Sequence, residues 1–521
     1  MSAPRPPTYV ARPPRGSRKV GAAHPFLESR FVGILLLLLC GRLGATGFDL
    51  PPAPAPPQPL QVPVIQQARL PNGLRLVVIE RRGLPLVTAM LSVQAGSLAD
   101  PPGKNGLAEL SFGVLGKGAK RGSTTADATA LAYAADALGG GLEISTGAQA
   151  SRLSMTVMSV HLDGSLALLA DVLRAPTLPA PEIDSSRQQL QLAIKLEAAD
   201  PATLASQLAW RLYWGDSPPG RLSTEQSLAR IRREDVVAFC RAQLRPEQTT
   251  LVLAGDIDMT QGLALAQQYF GAWRAAYPAT NPAHPALAAG PQPLGPSTLL
   301  VDLAGSAQSA VLLLAPFPAQ DPSDGGRTQA RIGALASAVL GTGYSSRANQ
   351  QVRIKRGLSY GAYSNTESLP AGGLLTLSTE TKHSNAAEVA QLLRRELLRM
   401  ATEPVPEEEL RARQNGLIGE LARQMETTQS LAGLAAEQLE RGESLTDLSA
   451  YAGQLKSVGA DQVQAFAQRY WPAPAVRLVI VADLQQAGAG LLQQYPEAWR
   501  IPAAELDLAS PNLRRSSARL K

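Results

Sequence analysis

The chain has 521 residues, of which 45% are hydrophobic and 18% charged, a composition typical of a globular protein with several domains. The formal net charge is +6, but residues 1–30 alone hold six Arg and Lys side chains against Glu28. Without them the chain is close to neutral, which excludes the broad positive surface of a nucleic-acid-binding protein.

An apolar run, 31–40, follows this basic stretch. It is shorter than the roughly 20 residues that a membrane-spanning helix needs, and the sequence predicts a secretory signal peptide over residues 1–47. An uncleaved N-terminal anchor and lipidation at Cys40 are the alternatives. The Pro-rich residues 48–64 predict a spacer. A leader of this kind predicts export to the bacterial periplasm or cell envelope.

The first half of the body mixes strands and helices. Alternating and β-branched runs predict strands, and apolar stripes at helical spacing predict helices. In chain order these elements are strands at 73–79 and 86–93 and helices at 203–214 and 228–241. Residues 65–274 therefore predict one α+β domain, and the residues 275–297, rich in Pro, Ala and Gly, predict a linker.

The second half shows the same mixture, so the predicted fold class is α+β with two similar units. Its elements in chain order are strands at 299–303 and 310–315 and helices at 386–400 and 407–426. Residues 298–490 predict the second domain. The basic residues near the end predict a disordered tail over 491–521.

A single spacing relates the two halves. The helix pattern around Phe239 and the strand that ends at Asp256 recur around Phe466 and Asp483, 227 residues later in both cases. Because one spacing covers a helix, a loop and a strand, the repeat indicates duplication of a whole unit.

The segment 106–118 resembles the zinc motif of the pitrilysin/insulinase family of metallopeptidases. Active members carry His-x-x-Glu-His there, framed by Gly-Leu-Ala and Lys-Gly. The two imidazoles hold the metal and the carboxylate activates a bound water. The frame is present in this chain, but the two His positions are Glu109 and Gly113, and the Glu position is Phe112.

The resemblance also implies a third ligand, a Glu in a downstream helix. The acidic pair of active members falls here at Leu192 and Ala193, neither of which binds a hard cation. Glu197 lies nearby but has no imidazole partner. The sequence therefore predicts that this chain binds no metal and no other cofactor. An active metallopeptidase with unusual ligands is the reading that Phe112 and Gly113 disfavour.

A second segment, 340–364, resembles the same family more specifically. In the family, an Arg and a Tyr seven positions later reach the zinc site of the other half, bind the substrate carbonyl and stabilise the oxyanion. The matching residues are Arg353 and Tyr360, and Gly341 and Gly343 lie in the turn that would approach the peptide. Taken alone, the same two side chains also fit a helix cap and a strand-packing Tyr.

The resemblance covers roughly residues 65–490. It implies the subunit of a two-chain enzyme that lacks zinc, inactive alone, whose partner is a zinc-bearing paralogue that supplies the Zn. It implies peptide substrates, no nucleic acid, and membrane contact only through an N-terminal anchor. The alternative is a structural or peptide-binding homologue with no role in proteolysis. A paralogue gene with an intact motif beside this gene would favour the first interpretation.

Overall fold

The computed structural model describes residues 61–275 and 290–515. The predicted leader, most of the spacer, most of the linker and the last six residues lie outside the described residues. The first half contributes eight strands: β1 (Ile65–Arg69), β2 (Arg75–Glu80), β3 (Leu86–Val93), β4 (Gly118–Arg121), β5 (Thr124–Asp127), β6 (Glu143–Thr146), β7 (Ser151–Met158) and β8 (Thr249–Gly255). Six of them form a sheet in the order β1-β2-β8-β3-β7-β6, and β4 pairs with β5. The central strand β3 is buried from Val87 to Val93 because both faces of this sheet are covered.

The helices of the first half are α1 (Leu107–Gly113), α2 (Ala128–Ala137), α3 (Leu162–Arg174), α4 (Ala180–Glu197), α5 (Pro201–Trp214), α6 (Glu225–Ala229), α7 (Arg233–Gln243) and α8 (Met259–Phe270). The helix predicted over 228–241 is wrong as one element, since the chain breaks between α6 and α7. The Asp235 carboxylate accepts a hydrogen bond from the Arg232 backbone N–H at 2.9 Å, which starts a new helix there.

The second half repeats this design. Its strands are β9 (Thr298–Asp302), β10 (Ser309–Phe317), β11 (Ala362–Leu369), β12 (Gly372–Thr381), β13 (Arg477–Ala482) and β14 (Trp499–Pro502). Its helices are α9 (Asp324–Gly341), α10 (Arg347–Asn349), α11 (Ala386–Thr402), α12 (Glu407–Gln424), α13 (Thr428–Glu440), α14 (Asp447–Lys456), α15 (Ala460–Tyr470) and α16 (Leu484–Gln494). The strand order is β11-β12-β10-β13-β9-β14. The predicted α+β class is confirmed.

The predicted tail begins too early. Residues 491–498 complete α16 and lead into β14, which pairs in parallel with β9 from Trp499 to Pro502. Leu513 is fully buried, so the ordered chain continues well beyond residue 490. A short parallel edge strand carries little sequence signal, because its stability comes from the strand it joins.

The repeat extends further than the sequence patterns indicate. A shift of 227 residues carries α4 onto α12 and α7 onto α15 at both ends, and carries β8 onto β13 to within one residue. The strand orders match when the second is reversed, apart from the outermost strand, which is β1 in one sheet and β14 in the other. Duplication of a whole unit accounts for both observations.

The two halves exchange helices. The α5 helix of the first half packs on the second sheet, with Leu208 among side chains of β9, β10 and β13. In return, α13 of the second half packs on β3 and β8 of the first sheet, with Leu431 at its centre. Each half therefore completes the core of the other. Each fully buried Leu contributes about 1.5–3 kcal/mol to the stability of the folded chain. Among the helices described, none combines the length and hydropathy that a bilayer crossing requires.

Candidate functional site

The helix α1, which carries the altered zinc motif, has a capped N-terminus. Gly106 precedes it at φ 95°, in the left-handed region that favours glycine. The Asp100 carboxylate accepts hydrogen bonds from the backbone N–H groups of Gly106 and Ala108, both at 2.7 Å. The Gly-Leu-Ala frame therefore has a structural role in starting this helix, and that role persists without any metal.

Burial raises the pKa of Asp100 to about 7, although the backbone N–H groups of Ala108 and Gly106 lower it, and nearby Glu109 raises it further. The folded chain therefore holds this proton more tightly than the unfolded chain does. Between about pH 4 and about pH 7, stability is expected to fall as pH rises through this group. The effect is at most a few kcal/mol, since one pKa unit corresponds to about 1.4 kcal/mol.

The variant Asp100→Asn keeps an acceptor oxygen but carries no charge, so its stability should change less across that pH window. Denaturant unfolding of both proteins at several pH values measures the difference. Parallel pH profiles for the two proteins would contradict this assignment.

The three altered motif positions divide between the surface and the core. Glu109 and Gly113 lie one helical turn apart on the exposed face of α1, and a Cβ added at Gly113 would meet no atom within 4 Å. Phe112 is 1% exposed and makes an edge-to-face contact with Phe239, with ring centroids 6.5 Å apart. Partial burial and the neighbouring Glu197 carboxylate raise the pKa of Glu109.

These residues do not fit a zinc ion. Leu192 lies on the exposed side of α4, and the two neighbouring carboxylates, Glu109 and Glu197, have no imidazole or thiolate beside them. Within the described ranges, no group of three or more His, Cys, Asp or Glu side chains is placed to hold a metal. Tetrahedral zinc sites take three or four such ligands.

The second candidate segment is held by a buried polar side chain. Asn349 is 1% exposed; its amide donates to the Gly343 carbonyl at 3.0 Å, and its carbonyl accepts from the Ala362 backbone N–H at 2.9 Å. It thereby joins the glycine turn to the start of β11. The sequence interpretation missed Asn349, because it stands among polar residues and only the folded chain shows that it is buried.

The chain widens into a π-helical turn after α10. The backbone N–H of Lys355 donates to the Gln350 carbonyl at 3.0 Å, five positions back, and Arg353 lies inside this turn. Such turns occur mostly as single insertions in helices and frequently at functional sites. The insertion turns Arg353 outward while Val352 beside it stays buried.

Arg353 and Tyr360 are both exposed, Tyr360 to 87%. The Arg353 guanidinium lies 5.0 Å from the ring centre of Tyr344, a cation–π contact. Within residues 61–275 and 290–515, neither side chain has a hydrogen bond or an ion pair. Their donors are therefore free for another molecule, and the helix-cap and strand-packing interpretations do not describe them.

The two glycines differ. Gly343 is exposed at φ 82°, a conformation that other residues rarely adopt. Gly341 is buried at the end of α9, where a Cβ would lie 2.5 Å from the Ser364 backbone nitrogen. Gly341 is thus required by packing within the chain, and the predicted substrate contacts of both residues stay predictions.

An ion pair fixes the turn that follows Gly343. Arg347 is 6% exposed and makes a two-pronged contact with the Glu409 carboxylate, at 3.1 and 3.0 Å. Arg413, one turn further along α12, donates to the Thr342 carbonyl and to the Ser345 hydroxyl, both at 3.0 Å. Glu409 therefore supports this turn within the chain.

Two family models match the chain. Residues 76–212 match the insulinase domain of peptidase family M16, and residues 230–417 match the peptidase M16 inactive domain. An uncharacterized zinc protease of Mycobacterium leprae is 25% identical over 405 residues, 77% of this chain and 88% of its own. A Streptomyces coelicolor zinc protease is 25% identical over 417 residues, 78% and 86% of the two chains.

Solved structures show the same fold. The peptidase M16 inactive domain from Pseudomonas fluorescens superposes with a TM-score of 0.71 at 21% identity, over 80% of this chain and 97% of that one. A protease from Helicobacter pylori gives 0.70 at 18% identity, over 81% and 100%. The two matching models and the shared motif frames agree, and this chain therefore belongs to the M16 family, the pitrilysin/insulinase peptidases.

Proposed function

We propose that this chain is the zinc-free subunit of a two-chain M16 peptidase. In this role it supplies Arg353 and Tyr360 to an active site whose metal belongs to a zinc-bearing paralogue. The proposal rests on two features that occur together in this chain. Among the described residues, the helix α1 has no set of metal ligands, while Arg353 and Tyr360 are exposed and have no hydrogen bond or ion pair. Asn349 holds the segment that carries them.

The chemistry of the two side chains suits this role. A guanidinium offers fixed donors and a permanent positive charge, and a phenol offers one donor. Donors that are aimed before reaction at the place where negative charge develops stabilise a tetrahedral oxyanion without reorganisation. Such donors must be held in a fixed orientation. Asn349 and the Arg347–Glu409 pair hold the segment that carries Arg353 and Tyr360.

We further propose that the chain works outside the cytoplasm, in the bacterial cell envelope. The support is the basic stretch followed by the apolar run 31–40 and the Pro-rich spacer. N-terminal sequencing of the protein recovered from a fractionated native host tests this. A mature end near residue 47 in the periplasmic fraction is the expected result, and recovery of full-length protein in the cytosol would contradict it.

The main test compares the chain alone with the chain mixed with a paralogue from the same genome whose His-x-x-Glu-His motif is intact. Zinc content is measured by metal analysis and cleavage by a quenched peptide. The single chain should be metal-free and inert, and the mixture should cleave. Stoichiometric zinc and cleavage by the single chain would overturn the proposal. Absence of cleavage in both preparations would favour a structural or peptide-binding role.

A further inference from the structure

Two arginines face each other at the end of the first hairpin. Arg69 of β1 and Arg75 of β2 are direct cross-strand partners on either side of the turn 70–74. Like charges placed opposite each other on two strands repel and destabilise the pair. In the described part of the chain, neither guanidinium has a hydrogen bond or an ion pair that would offset this repulsion. The fold therefore carries an unfavourable charge pair with no internal compensation.

Both arginines line a cavity of about 740 Å³. The end of α13 and the segment after it also line the cavity, with Leu439, Ser444 and Leu445, so the cavity lies between elements of the two halves. Arg75 is partly buried, and this burial, together with the charge of Arg69, lowers the pKa of its guanidinium.

The remaining lining combines polar and apolar residues and contains one carboxylate. Gln67, Gln94 and Ser444 contribute side chains with hydrogen-bond donors. Glu443 is the carboxylate of the lining, and its oxygen lies 3.5 Å from the Arg441 guanidinium, which does not line the cavity. Neither Arg69 nor Arg75 is paired with this carboxylate in the described part of the chain, and the lining holds two positive groups against one negative group.

A guanidinium binds an oxyanion through two parallel N–H donors, and two guanidinium groups can share one anion. We propose that this cavity is a binding site for an oxyanion, a phosphate or carboxylate group, held between Arg69 and Arg75. Gln67, Gln94 and Ser444 then donate to the remaining oxygens. The volume lies in the range of small-molecule sites, roughly 300–1,000 Å³. The proposal does not depend on the peptidase role.

The test is calorimetric titration of the full chain with inorganic phosphate and, separately, with acetate, at constant ionic strength. At least one anion should bind to a single saturable site, and the anion that binds distinguishes a phosphate site from a carboxylate site. The variants Arg69→Gln and Arg75→Gln should each weaken the Kd about tenfold or more, the loss expected for one charge-assisted contact. The matched control is Lys120→Gln, an exposed cation of β4, which should leave the Kd unchanged.

Thermal unfolding at low ionic strength, without added oxyanion, gives an independent measurement. Removal of one repelling charge in Arg69→Gln should raise the Tm above that of the unsubstituted chain, and added oxyanion should then raise it less. A lower Tm for Arg69→Gln would show that the pair is structural. The proposal is likewise overturned if neither anion saturates a site, or if the arginine variants bind as well as the original chain.

Discussion

Replacement of Arg353 by Ala is expected to lower the kcat of the two-chain mixture about 100- to 1000-fold, the loss typical of one oxyanion donor. The Tyr360→Phe variant removes a single hydroxyl and should fall in the same range. Arg353→Lys keeps the charge but loses the forked donors, so its kcat should be intermediate. The rate is measured with the quenched peptide at saturating concentration, and size-exclusion chromatography checks that the complex still forms.

The matched control for these variants is Lys355→Ala, an exposed cation two positions from Arg353. Its kcat should stay within a factor of about two, since rates that fall for any lost charge would indicate general steering rather than a positioned donor. Tyr344 offers a finer measurement, because its ring lies under the Arg353 guanidinium. Tyr344→Phe keeps the ring and should keep the rate, whereas Tyr344→Leu should lower kcat about two- to fivefold, the value of an exposed cation–π contact.

Replacement of Phe112 by the Glu of the active motif is expected to destabilise the protein severely. The ring is buried in the core of the first half against Phe239, so even Phe112→Ala should cost about 3–5 kcal/mol. A carboxylate at this position would be buried without a counter-charge and should cost more. The denaturant midpoint of each variant, followed by circular dichroism, measures the effect.

The other two motif positions provide the matched controls, because both are exposed on the same short helix. Glu109→His should leave the midpoint nearly unchanged, and Gly113→Ala should raise stability by up to about 1 kcal/mol. A Phe112→Glu variant that unfolds at the midpoint of the original chain would mean that the side chain can turn outward, and the motif would then be open to repair. If the denaturant midpoints follow this order, the packing of the core opposes a zinc site at this position in addition to the missing ligands.

Local patterns predicted most of the regular structure. Strand β3 was predicted with its observed bounds, since a mainly apolar run between turn residues is readable without tertiary information. The 227-residue spacing was readable for the same reason. The break between α6 and α7 was not, because the apolar stripe continues through it and only the Asp235 cap marks the new start.

The sequence predicted which positions form the candidate site, but not which of their side chains are buried and which are exposed. Sequence can place Glu109, Phe112 and Gly113 on one helix, yet only packing decides that the central position lies in the core. The support of the Arg353 segment was unreadable because Arg347 and Glu409 are 62 positions apart and meet only in the folded chain. The exposure of Tyr360 depends likewise on what the rest of the fold leaves uncovered.

The exchange of helices between the halves sets an order of events during synthesis. The first sheet is complete once Gly255 has been made, but the helix that covers its apolar face ends only at Glu440. At typical rates of synthesis that interval lasts roughly 10–40 s. During it, a sheet face containing Val77, Ile79 and Val252 is exposed on an unfinished chain. We therefore expect the unfinished chain to aggregate most readily during this interval. A factor that shields apolar strands would act on the first half before the second half has been synthesised.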